Sequence, residues 1–105
     1  MKKVGIIRCD AHSENCAAFG CFRAMRENTG KFENYGEIQI IGLDTCGGCA
    51  RGKADKILAR AKRMVDRGAE VIHLGNCLTG ACPSADVYIQ AIRNDSGAEV
   101  VLGTH

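Results

Sequence analysis

A chain of 105 residues with 14 basic and 12 acidic side chains has a formal net charge of +2. The basic residues are scattered opposite acids, which excludes a polyanion-binding patch and gives no reason to expect a nucleic-acid partner. Its 46% apolar content suits a soluble globular protein, and the departures are seven cysteines, 13 glycines, a single proline and no tryptophan.

One domain spanning 1–105 is expected, with a core large enough to fold without a staple. No apolar run approaches a membrane span, and the opening MKKVGIIRCDAHSEN reaches charge too early for a signal peptide. The chain reads as cytoplasmic. In that reducing setting seven thiols point to metal binding, reactivity or burial rather than to a disulfide framework.

In chain order, Val4, Ile6 and Ile7 form a short apolar strand, followed by a polar loop over 10–15. A helix begins near Cys16, with Ala18, Phe22 and Met25 at helical spacing. The segment NTGKFENYG is turn chemistry and leads into a second strand over 37–43. Ile57, Leu58, Ala61, Met64 and Val65 then make one apolar helix stripe that stops at Gly68. A third strand covers 71–74. Ser84, after Pro83, is placed to cap a helix carrying Val87, Tyr88, Ala91 and Ile92, which ends near Gly97. A fourth strand covers 99–102. Strands alternating with helices predict an α/β fold: a small three-layer parallel sheet, flavodoxin-like or half-Rossmann, with four buried strands in the order 2-1-3-4.

Each strand runs out into sulfur or imidazole: Cys9 after the first, Cys46 after the second, Cys77 after the third, His105 after the fourth. In a parallel sheet these ends share one edge, with neighbouring strands about 4.8 Å apart, so residues distant in sequence converge in space. Converging thiols and imidazoles suit a soft metal, an iron–sulfur cluster or a dithiol redox centre. The sharpest element is Cys46-Gly47-Gly48-Cys49, whose spacing lets both sulfurs face one ion and whose glycines allow positive φ. Cys77 and Cys82, separated by LTGA, make a looser second pair. Cys9, Cys46, Cys49 and Cys82 are expected on one sheet edge, their loops within about 10 Å.

The remaining candidates have two readings each. Cys16 lies where the first helix is expected to begin, a setting that favours thiolate. Cys21 shares the helix face of Ala18, Phe22 and Met25 and is a core residue or a ligand. His73 is embedded in an apolar strand and reads first as a core histidine. His12 reads as a solvated loop residue, and His105 is a terminal residue or a ligand.

Taken together, GIIRC, GCFRAMREN with KFENY, TCGGC, GAEVIHL, the Cys82-Pro83 pair and the closing VVLGTH resemble the CGGC-domain family of small bacterial and archaeal proteins, along essentially the whole chain. The resemblance implies metal binding, zinc foremost, with no assigned reaction. It implies a ligand set of Cys9, Cys16, Cys21, Cys46, Cys49, Cys82, His73 and His105. Two features depart from the family pattern: Arg51 stands near a usual Pro-Gly, and Cys77 is an additional thiol. The candidate metal residues are therefore Cys9, Cys16, Cys21, Cys46, Cys49, Cys77, Cys82 and His105, for zinc or alternatively an iron–sulfur cluster.

Other chemistry finds less support. Residues 47–54 nearly spell a phosphate-binding loop, but Ala54 cannot ligate Mg²⁺. No cysteine is followed six residues later by arginine, as a protein-tyrosine phosphatase requires, and no GxGxxG marks a nicotinamide site. Two function classes remain: a metal-binding module, or an enzyme that uses the Cys46/Cys49 pair for thiol–disulfide exchange or metal-assisted catalysis. Arg8, Asp10, Asp44 and Arg51 would flank the crevice in the second case.

Overall fold

An apolar run such as VGIIR can be covered on both sides only in the interior of a sheet, and there the chain places it. The computed structural model describes residues 2–47, 54–81 and 84–104. Four strands, β1 (Lys2–Arg8), β2 (Ile38–Thr45), β3 (Val71–Leu74) and β4 (Glu99–Leu102), form one parallel sheet in the order β2-β1-β3-β4. The helices are α1 (Asp10–Ser13), α2 (Phe19–Glu27), α3 (Asp55–Asp66), α4 (Asn76–Ala81) and α5 (Ala85–Asp95), with a 3₁₀ turn at Gly30–Phe32.

Alternate side chains of the central strands feed two cores. Val4, Ile6 and Val71 pack with Cys21, Ala24 and Met25 of α2 and with Phe32. On the other face Ile7, Ile72 and Leu74 pack with Ile57, Ala61 and Met64 of α3, Leu78 of α4, and Tyr88, Ile89 and Ile92 of α5. This is the expected three-layer arrangement. The chain leaves β1 toward β2 and then crosses back over β1 to β3, which puts the topological switch point between β1 and β3, where crevices form in open parallel sheets.

Packing forces one irregularity. Val4 pairs with Ile40 but Gly5 pairs with Gly42, so Ile41 is an extra residue in β2, a β-bulge on an edge strand. A Cβ on Gly5 would lie 2.6 Å from Met64 Sδ and 2.9 Å from Ile72 Cδ1, so glycine is what lets α3 settle onto β1.

Several expected boundaries shift. Strand β2 ends at Thr45, and both edge strands, β2 with Ile40 and Leu43 exposed and β4 with Leu102 exposed, are partly open rather than buried as expected. The polar loop after β1 holds a helical turn, α1, closed by the Ser13 amide on the Cys9 carbonyl at 3.1 Å. Helix α2 starts at Phe19 and not near Cys16, because Ala18 adopts a left-handed conformation (φ 63°) that no helix can run through. Ser84 stands at the start of α5 with no side-chain cap, and α5 buries Ala85, Tyr88, Ile89 and Ile92 while Val87 faces solvent.

Candidate metal centre

Strands β1 and β2 stay paired up to Arg8 and Thr45, so Cys9 and Cys46 are the next residue on each. The Cys46 amide donates to the Arg8 carbonyl at 2.9 Å, extending the ladder to the cysteine itself. Both residues fall on the α3 side of the sheet: Cys46 is 5% exposed within that core, and Cys9 packs against it, half-buried. On the other flank of β1, the Gly75 amide reaches the Ile7 carbonyl at 2.8 Å and α4 begins. The Cys9 amide then donates to Cys77 Sγ at 3.3 Å. Cys46, Cys9 and Cys77 therefore follow one another along the carboxyl edge.

Gly47, the residue after Cys46, is held from two directions. The Gly47 amide donates to Thr45 Oγ1 at 3.1 Å, and Thr45 Oγ1 donates to Asp10 Oδ1 at 2.8 Å, tying it to α1. Gly47 has φ 84°, the positive value anticipated for the motif's glycines, and a Cβ there would lie 2.9 Å from the Arg60 guanidinium. Arg60 also pairs with Asp44 at 3.4 Å. The Nε atoms of Arg60 and Arg8 are both buried without a hydrogen-bond partner among the described residues. Unmet guanidinium N–H groups thus stand on β1 and beside Gly47.

Other candidates lie elsewhere. Cys21 is buried under α2 on the opposite face, its Sγ 3.1 Å from Thr104 Oγ1. Cys16 is exposed in the connection before α2, where Arg8 Nη1 donates to its carbonyl. A cleft of about 610 Å³ opens beside it, with Arg8, Glu14, Cys16 and Phe19 among its walls. Cys49, Cys82, His105 and Arg51 lie outside the described residues, as does the His12 side chain. Among the described residues, no three His, Cys, Asp or Glu side chains come together in a group that could hold a metal ion.

His73 is the core histidine of the two readings. Its Nδ1 lies 2.9 Å from the Gly103 carbonyl, which can only accept, so Nδ1 carries the proton and Nε2 accepts from the Tyr35 hydroxyl at 2.8 Å. Phe32 stacks on the ring at 4.3 Å. Both nitrogens are occupied, which removes His73 from the ligand set that the resemblance implied. Burial pushes its pKa below the ordinary 6.5, so the ring is neutral.

The sequence reading missed the residues that hold these groups. Tyr35 and Thr104 stand in the KFENY and VVLGTH blocks but were given no role, Arg60 looked like one more solvated helix cation, and Asn76 lay outside every motif. Asn76 Oδ1 accepts from the Thr104 amide at 2.9 Å, and the Lys31 amide donates to the Thr104 carbonyl at 3.3 Å. The chain end is thereby latched to the carboxyl edge, and only the closing GTH hinted at it.

With the edge described, the wider relationship can be stated. The CGGC domain model matches residues 3–105. The chain belongs to the CGGC-domain family. The domain is also 33% identical over 112 residues to an uncharacterized protein of Methanocaldococcus jannaschii, the match covering 98% of this chain and 86% of that relative. No solved structure matches the domain. Among the described residues, no helix of this CGGC domain is long and apolar enough to cross a membrane.

Proposed function

We propose that this CGGC domain is a metal-binding protein that holds zinc, or alternatively an iron–sulfur cluster, with cysteine thiolates at the carboxyl edge of its sheet in the cytoplasm. The observation that carries this reading is the succession of Cys46, Cys9 and Cys77 just past the carboxyl ends of adjacent strands, joined by the Cys46–Arg8 and Cys9–Cys77 contacts. Three thiols, two just past β2 and β1 and one in α4, fall short of a tetrahedral site, and Cys49, Cys82 or His105 supplies the fourth donor.

The orphaned guanidinium nitrogen of Arg60, beside Gly47, supports the same reading. A thiolate-rich metal site carries net negative charge, and outer donors to its sulfurs stabilise it. Arg60 has a buried N–H group to give. Cys21 and Cys16 stand apart, one beneath α2 and the other exposed, and we assign neither to the first ion bound.

The test is metal per chain, by elemental analysis and visible spectrum, in protein purified without oxygen. Near one zinc per chain, or the brown absorbance of an iron–sulfur cluster, is expected. Cys46→Ser/Cys49→Ser should abolish it, because a hydroxyl stays protonated near neutral pH and cannot replace a thiolate. Full metal content in that double variant would overturn the reading.

A further inference from the structure

Cys77 is not explained by the hydrogen bond it receives. Sulfur is a weak acceptor, and serine or asparagine would satisfy the Cys9 amide better at 3.3 Å. Nor is Cys77 a core filler: it is half-buried, while its neighbour Leu78 fills the core. What is particular about its place is the residue that bears the donating amide, which carries a thiol of its own.

We propose that Cys9 and Cys77 form a reversible disulfide across the switch point, and that its formation withdraws both sulfurs from the metal site. The second half rests on the metal-binding reading; the first does not. The Cβ of Cys9 is two bonds from its amide nitrogen, so the Cys77 sulfur lies within about 6 Å of that Cβ. The two chains diverge only after the paired residues Ile7 and Leu74, Cys9 lying two residues past the first and Cys77 three past the second, in the first turn of α4. Gly75 seats the sulfur, since a Cβ there would lie 3.4 Å from both Cys77 Sγ and Arg8 Cβ. Rotation about the two Cα–Cβ bonds and a small adjustment of the first turn of α4 close the bond.

The co-reactant is a small-molecule disulfide. Cys77, after losing its proton to solvent, attacks it and releases one small thiolate, leaving a mixed disulfide. Cys9 then loses its proton and attacks Cys77 Sγ, expelling the second small thiolate. Two protein thiols are oxidised to one disulfide and one small disulfide is reduced to two thiols. Excess small thiol runs the sequence backward.

The experiment treats the full chain, once metal-free and once zinc-loaded, with oxidised glutathione, alkylates the remaining thiols and maps the peptides by mass spectrometry. In the metal-free chain the expected product is a Cys9–Cys77 linked peptide with loss of two thiols at that pair, reversed by reduced glutathione. In Cys77→Ser, Cys9 should instead keep a glutathione adduct. Alkylation of both Cys9 and Cys77, or a Cys46–Cys49 link formed while Cys77 stays alkylated, overturns the proposal whether or not the chain binds zinc. In the zinc-loaded chain a chromogenic chelator should report zinc release in step with the linked peptide. A link that forms with zinc retained refutes the withdrawal of ligands, and a chain that never loads zinc refutes the metal reading while the metal-free arm still decides the disulfide.

Discussion

Cys21 and Cys46 are both buried, yet their surroundings give them different work. Cys46 continues a strand ladder onto the edge where Cys9 and Cys77 lie, whereas Cys21 meets a hydroxyl, Thr104, on the far face. Cys21→Ala should therefore cost about 1 kcal/mol in chemical denaturation and leave metal content unchanged; loss of metal would move Cys21 into the ligand set. His73 makes a second test at this scale. Its folded-state pKa lies below 6.5, so the unfolded chain takes up the proton first as the pH falls. The stability held by the neutral ring is complete above about pH 6.5 and is lost as the pH drops from there toward the folded value. Melting temperature should fall over that window in the native chain and less steeply in His73→Gln. Tyr35→Phe leaves Nε2 buried without a donor and should cost about 1–3 kcal/mol at neutral pH.

The elements that were legible in the sequence are those whose pattern is local. Strands β3 and β4 lie where the apolar runs predict them, and α3 buries Ile57, Ala61 and Met64 of the stripe that its periodicity marks. The order β2-β1-β3-β4 is the one expected from strands alternating with helices. What escaped was set by contacts rather than pattern. The bulge at Ile41 reverses the alternation midway along β2, so the strand's inward face changes where no sequence period signals it. Ala18 takes a left-handed conformation that its residue type does not announce, and α4 takes in the LTGA spacer of the second cysteine pair, which no helical period marks. At the site, the strand ends were legible because topology fixes them, but Tyr35, Arg60, Asn76 and Thr104 act through tertiary contacts. Gly5→Val puts the bulge and the α3 packing to the test: its methyls would enter space held by Met64 and Ile72, and the expected loss is about 1–3 kcal/mol with metal binding retained.

At the scale of the whole molecule, the question is whether an ion is needed to hold the fold. In a small zinc-dependent domain the metal replaces a core, and removing it unfolds the chain. Here two cores already cover both faces of the sheet, and Ile6, Ile7, Phe32, Ile57, Ile72, Leu74, Tyr88 and Ile92 are within 2% of full burial. The edge itself is tied by bonds that involve no metal: Cys46 to Arg8, Gly75 to Ile7, Gly103 to Leu74 at 2.7 Å, and Thr104 to Asn76. Chelation, or the Cys46→Ser/Cys49→Ser double variant, should therefore leave the far-ultraviolet dichroism of the helices in place while lowering the melting temperature by the binding free energy that the folded chain alone enjoys. Because that free energy depends on free metal concentration, the melting temperature of the native chain should rise with added zinc and that of the double variant should not. Collapse of the helical signal on chelation would mean that the CGGC turn and its ion organise the core, and that the two apolar faces alone do not specify this fold.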